Sequence, residues 1–353
     1  MRDPDKRFIA GGPIARRPGR VLPALVERLT PGESEDDAVP RLERRIAELL
    51  GKPAAAMFPS GTMAQQVAMR IHADRRGTRT VAFHPQCHLE VHEHKGYAAV
   101  HGLVGVLVGN PFTLIQLSDL DKVREPVAAL LLELPQREIG GRLPGWADLV
   151  AQTGWARDRG AATHMDGARL WEAQPFYDRP HAEIADLFDS VYVSLYKGLA
   201  GISGAVLAGD RDFVDHARVW RDRLGGAPDR LWPQALSAER GLDELLPRMA
   251  EFADRARTLA ATLARVPGVH VVPDPPQTPM FHLHVDAPPA AVREVVRRLR
   301  EDENGLAPPG WVQTMPSPDR SGFELTVSAH LDDITDTEIA DLFTELIKQA
   351  LGP

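Results

Sequence analysis

The stretch DSVYVSLYKGLAG, residues 189–201, reads as an apolar strand that ends on Lys197, with Gly198 and further small residues behind it. It closes a series. Back along the chain, AAAMF (54–58) leads into a helix beginning near Thr62, and TVAF (80–83) precedes a histidine-rich stretch. VAALLLEL (127–134) is followed by a helix around 146–158, and AATHMD (161–166) by another segment. Short apolar runs alternating with helical ones imply strands buried on both faces, hence an α/β fold with a mostly parallel sheet. Ligands of such sheets sit beyond the carboxyl ends of the strands, and every chemically suggestive residue below follows one of these runs.

Outward from this centre, RLERRIAELLG (41–51) has helical spacing and a glycine stop. Residues 1–35, rich in Pro, Gly and Arg, read as an N-terminal arm, and 36–245 as a large domain. After about residue 245 the pattern changes. A long helix over roughly 238–265, VHVV, a Pro-rich turn, MFHLHVD and the helix PPAAVREVVRRLRED come first, then two strands and DTEIADLFTELIKQAL. They read as a smaller C-terminal α/β domain, 246–353.

A length of 353 residues suits a large domain plus a smaller one, and 43% hydrophobic residues suffice for a sizeable core. The net charge of −8 argues against a nucleic-acid or anionic-membrane partner, and Arg297, Arg298 and Arg300 read as the solvated face of an amphipathic helix. No apolar stretch approaches the roughly 20 residues of a membrane span. The first twenty residues lack the apolar core of a secretory signal. Cys87 is the only cysteine, which excludes an intramolecular disulfide and fits a reducing compartment. The expectation is a cytoplasmic protein.

Lys197 has two readings: a solvated lysine at a strand end, or an amine that condenses with an aldehyde, kept neutral and nucleophilic by burial. Asp166 in HMDGARLWEA (164–173) is either a helix N-cap or a buried carboxylate that meets a cation such as a pyridinium nitrogen. In FPSGTMAQQ (58–66), Ser60, Gly61 and Thr62 lie at the start of a helix, where free N–H groups and hydroxyls suit a phosphate. The spacing is not that of a nucleotide P-loop, so a small phosphate ester fits better than ATP. His84, His88 and His92 recur every four residues with Cys87 and His94 nearby, yet no clear ligand set is complete, and no metal is expected.

Together these segments resemble the threonine aldolase and β-eliminating lyase family of fold-type I, aspartate aminotransferase-like, pyridoxal-phosphate enzymes. The resemblance spans roughly residues 41–226. It rests on FPSGTMAQQVAMR, CHLEVHE, HMDGARLWEA and DSVYVSLYKGLAGISGAVLAG followed by ARVWRDRLGG. It implies Lys197 as the Schiff-base lysine, Asp166 as partner of the pyridine nitrogen, and Arg169 near the phenolic oxygen. Ser60, Gly61 and Thr62 would bind the phosphate, and His88 would stack on the ring and help move protons. It also implies an amino-acid substrate and a homodimer or homotetramer.

Several positions depart from the family pattern. GGPIARRPGR stands where a Ser-Asp-Thr stretch is usual, Gln136 stands for an active-site His, and Tyr196 for the usual Ser before the lysine. GGAPDR leaves Arg230 one place out of register, and Thr326 occupies the place of the arginine that grips the substrate carboxylate. Arg16, Arg17 and Arg137 are the candidates to replace that charge. The expected activity is a lyase acting by retro-aldol cleavage of a β-hydroxy amino acid or by β-elimination. Transamination or racemisation on the same cofactor, or a non-catalytic descendant, are the alternatives.

Overall fold

The structure is a computed structural model that describes residue 9 and residues 18–28, 37–301, 306–310, 312–315 and 317–352. The chain divides into two compact units. The larger comprises residues 16–139 and 143–247, the smaller 1–15, 140–142 and 248–353.

The larger unit is built on seven strands: β1 (Ala54–Phe58), β2 (Thr80–Phe83), β3 (Val104–Leu107), β4 (Ala129–Glu133), β5 (Ala162–Gly167), β6 (Ser190–Ser194) and β7 (Ala205–Gly209). Their order is β1-β7-β6-β5-β4-β2-β3. The pairs from β3 through β6 are parallel, and β7 lies antiparallel between β6 and β1. All five residues of β4, β6 and β7 are buried, as continuous apolar runs require when helices cover both faces of a sheet. The Gly61–Arg76 helix follows β1 and buries Ala64, Val67, Ala68 and Ile71 in the core.

The smaller unit carries an antiparallel sheet of order β10-β11-β9-β8, from β8 (Val269–Val272), β9 (Met280–Val285), β10 (Gln313–Thr314) and β11 (Ser321–Thr326). Alternation gives it an apolar face that includes Phe281, Leu283, Phe323 and Leu325, all buried. The Pro289–Glu301 helix buries Val292, Val295 and Val296, while Arg297 on its outer face pairs with Glu294 and Glu301.

One expectation changes. The long helix over 238–265 is two helices, Trp232–Glu244 and Met249–Leu263, because Pro247 lies in a 3₁₀ turn between them and can neither donate a helical hydrogen bond nor avoid the preceding turn. Within the histidine-rich stretch 84–94, His88–Val91 is helical. Most of the expected arm lies outside the described residues, and the part that is described includes a helix, Pro18–Val26.

Candidate active site

The site grows from the carboxyl ends of β4, β5 and β6. Glu133 ends β4 and is paired in register with Asp166 near the end of β5, which is paired in turn with Tyr192 of β6. Two carboxylates on neighbouring strands are thus buried side by side. Burial, then repulsion from Asp166, pushes Glu133 up to about 8, and burial likewise raises Asp166. Lys197 follows β6 by three residues. Burial, reinforced by the Arg169 charge and opposed by Asp166, brings its amine down to about 8.

Lys197, Asp166, Arg169 and His88 line one pocket together with Glu133, Arg137 and Glu138. His88 donates its backbone N–H to Glu133 Oε1 at 2.6 Å, and its Nδ1 lies 3.0 Å from Glu93 Oε1. Gln66 Nε2 donates to the other Glu93 oxygen at 3.1 Å. Asp166 Oδ1 accepts from the Ala168 N–H at 3.0 Å.

Ser60, Gly61 and Thr62 are not part of that pocket's lining; they begin the Gly61–Arg76 helix, and Ser60 Oγ accepts the Met63 N–H at 3.3 Å. A side chain at Gly61 has no room, since a Cβ there would lie 2.1 Å from Tyr192 Oη. A Cβ on Gly198 would likewise lie 2.6 Å from the Glu172 carboxyl carbon.

Glu93, Glu133 and Glu172 escaped the sequence reading. Glu172 is buried, held by the backbone N–H groups of Gly198 and its own residue, and Arg169 opposes the rise that burial imposes on its pKa. Its Oε2 has no hydrogen-bond partner among the described residues. Its surroundings in Leu170-Trp171-Glu172-Ala173, an otherwise apolar run, were the available signal.

Gln136 Nε2 donates to Glu133 and, at 3.1 Å, to Gln86 O, so its amide buttresses Glu133. Tyr196 places its ring centroid 5.9 Å from Lys197 Nζ. Arg230 is exposed and donates to Asp229 O. Thr326, in the smaller unit, is buried at the end of β11, and its Oγ1 has no hydrogen-bond partner among the described residues. Arg16 and Arg17 lie outside the described residues. The histidines of the 84–94 stretch go to separate partners: His84 Nε2 meets the Asn110 and Thr113 carbonyls, and His92 Nε2 meets Glu138 Oε1 at 2.8 Å.

The arrangement suits an amine nucleophile beside an anion and a guanidinium, shielded from water. Comparison with known proteins bears on what that amine holds. The sequence profile of the family described as beta-eliminating lyase matches residues 32–287. Low-specificity L-threonine aldolase 1 of Arabidopsis thaliana is 28% identical over 81% of this chain and 84% of its own. A candidate L-allo-threonine aldolase of Listeria monocytogenes EGD-E, solved by crystallography, is 38% identical with a TM-score of 0.89, covering 97% of this chain and 96% of that one. An aspartate aminotransferase of Thermus thermophilus shares the fold alone, at 17% identity and a TM-score of 0.71 over 98% and 100% of the two chains.

Proposed function

The chain belongs to the beta-eliminating lyase family, and from that premise we propose that it is a pyridoxal-phosphate-dependent lyase that cleaves the side chain of a β-hydroxy amino acid. Family and fold are those of fold-type I pyridoxal-phosphate enzymes. The observation that carries the reading is the pocket in which Lys197 lies with Asp166, Arg169 and His88. The threonine aldolases among the relatives support retro-aldol cleavage ahead of β-elimination.

The residues fit the cofactor. Asp166 is a buried carboxylate whose ionised form gains from a nearby cation, and the Lys197 amine loses its proton near neutrality. Gly61 opens a 16-residue helix whose first N–H groups suit a phosphate. When bound, pyridoxal phosphate supplies an electron-withdrawing ring that stabilises negative charge at the substrate's Cα.

In this reading Lys197 would hold the cofactor at Nζ and would move protons at that atom. Asp166 would favour a proton on the ring nitrogen, Arg169 would donate to the ring oxygen, and Ser60, Gly61 and Thr62 would hold the phosphate. His88, its Nδ1 held by Glu93, would cover the ring face and take or give a proton. The cofactor-binding domain is then 36–245 and the smaller domain 246–353. We further assign the protein to the cytoplasm, as a homodimer or homotetramer; no helix among the described residues is long and apolar enough to cross a membrane.

The test is an absorption spectrum of the protein with pyridoxal phosphate, followed by borohydride reduction and peptide mapping. A visible band and a label on Lys197, both absent in Lys197→Ala, are expected, together with aldehyde release from β-hydroxy amino acids. A colourless chain left unlabelled would overturn the reading.

A further inference from the structure

We propose that Tyr192 is a further phosphate ligand of the cofactor site: its hydroxyl, seated against Gly61, donates to the ester phosphate and favours pyridoxal phosphate over free pyridoxal. The proposal deepens the lyase reading and rests on it.

Paired positions on neighbouring strands show the same face of a sheet. Tyr192 of β6 is paired with Asp166 of β5, so its side chain leaves the sheet on the face of the carboxylate assigned to the ring nitrogen. From there it reaches the start of the Gly61–Arg76 helix. A Cβ built on Gly61 would lie 2.1 Å from Tyr192 Oη and 2.6 Å from its Cζ. Glycine at this position is therefore what lets the hydroxyl come up to the helix end.

A phosphate brings three strongly accepting oxygens and calls for several donors. The helix start supplies only some of them. Ser60 takes the Met63 N–H at its Oγ and the Ala64 N–H at its carbonyl, which leaves the N–H groups of Gly61 and Thr62 with the two hydroxyls. The anion also arrives near Asp166 and Glu93, whose charges reach Tyr192.

Tyr192 suits the part of an added donor. It is 3% exposed, and burial, reinforced by Asp166, keeps the phenol protonated. Ser194 meets the same oxygen in a contact that favours the ionised form, as a hydroxyl donating to Oη does. Ser194 Oγ already accepts the Tyr196 N–H at 3.2 Å. The phenol's own proton is thus left for another acceptor, and a buried tyrosine hydroxyl ordinarily has one. A phosphate oxygen at the helix start fills that role.

The experiment titrates the full-length protein, freed of cofactor, with pyridoxal phosphate and with pyridoxal, for wild type and Tyr192→Phe. The variant should bind pyridoxal phosphate about tenfold more weakly and pyridoxal within about twofold of wild type. The phosphorus resonance of the bound cofactor should shift. Pyridoxal is the folding control, because it needs the same lysine and the same ring contacts. Equal weakening of both ligands would make Tyr192 a packing residue, and unchanged pyridoxal phosphate binding with an unmoved resonance would remove it from the site; either overturns the assignment. A wild type that takes up neither ligand on Lys197 would bring down the lyase reading itself, which the peptide map distinguishes.

Discussion

At Lys197 the charge balance is set by neighbours that can be removed singly. Because the amine titrates near 8, labelling of the cofactor-free chain with acetic anhydride should show Lys197 reacting with a midpoint near pH 8, against the roughly 10.4 of an unperturbed lysine. Arg169 disfavours the ammonium form, so Arg169→Gln should move that midpoint upward, read by mass spectrometry of the Lys197 peptide. At Gly61 the neighbour is a hydroxyl with nowhere to go. Gly61→Ala should destabilise the protein by about 1–3 kcal/mol in urea unfolding, because Tyr192 is buried and must shift. Lys197 and Asp166 were legible as candidates because each follows an apolar run and carries distinctive chemistry, while Arg169 and His88 were named through the family resemblance; all four line one pocket. Glu93, Glu133 and Glu172 stayed hidden because carboxylates are usually solvated. Their burial depends on groups remote in sequence, such as Gln66 for Glu93 and Gly198 for Glu172.

Among the elements, the Gly61–Arg76 helix is fastened to the sheet by a chain of polar contacts. His72 Nε2 lies 2.7 Å from Ser190 Oγ, the same oxygen lies 2.7 Å from His164 Nδ1, and His164 Nε2 lies 2.6 Å from Gln65 Oε1. All four residues are buried, so the helix is tied to β5 and β6 where water cannot substitute. Ser190→Ala would strand two imidazole nitrogens and should cost about 3 kcal/mol in chemical denaturation; a loss below about 1 kcal/mol would show that the chain of contacts contributes little. Element boundaries in the sheet were legible where strands are continuously apolar, as in β4. The Trp232–Glu244 and Met249–Leu263 helices were read as one because apolar spacing continues across Pro247, whose effect is local.

For the whole molecule, acid is the vulnerable direction. Burial brings His72 down to about 4, so between the ordinary histidine range and pH 4 the unfolded chain binds a proton that the native chain refuses. Stability should therefore be full above about pH 6.5 and fall as pH drops toward 4, with His72 contributing on the order of 3 kcal/mol. His181 and His330 push the same way. Thermal midpoints between pH 4 and 7 measure this, and His72→Gln should lower the midpoint at neutrality yet shallow the slope. The alternation of runs gave away a parallel sheet, but not its order, because lateral neighbours are chosen by packing between distant segments. That order has a consequence during synthesis. β1 leaves the ribosome first of the seven, yet its one neighbour in the sheet among the described residues is β7, roughly 150 residues later, so at translation speeds of about 5–20 residues per second its backbone waits on the order of ten seconds. Nascent chains stalled before Ala205 should accordingly be captured by chaperones and cut readily by protease, and release of that protection defect should coincide with the emergence of β7.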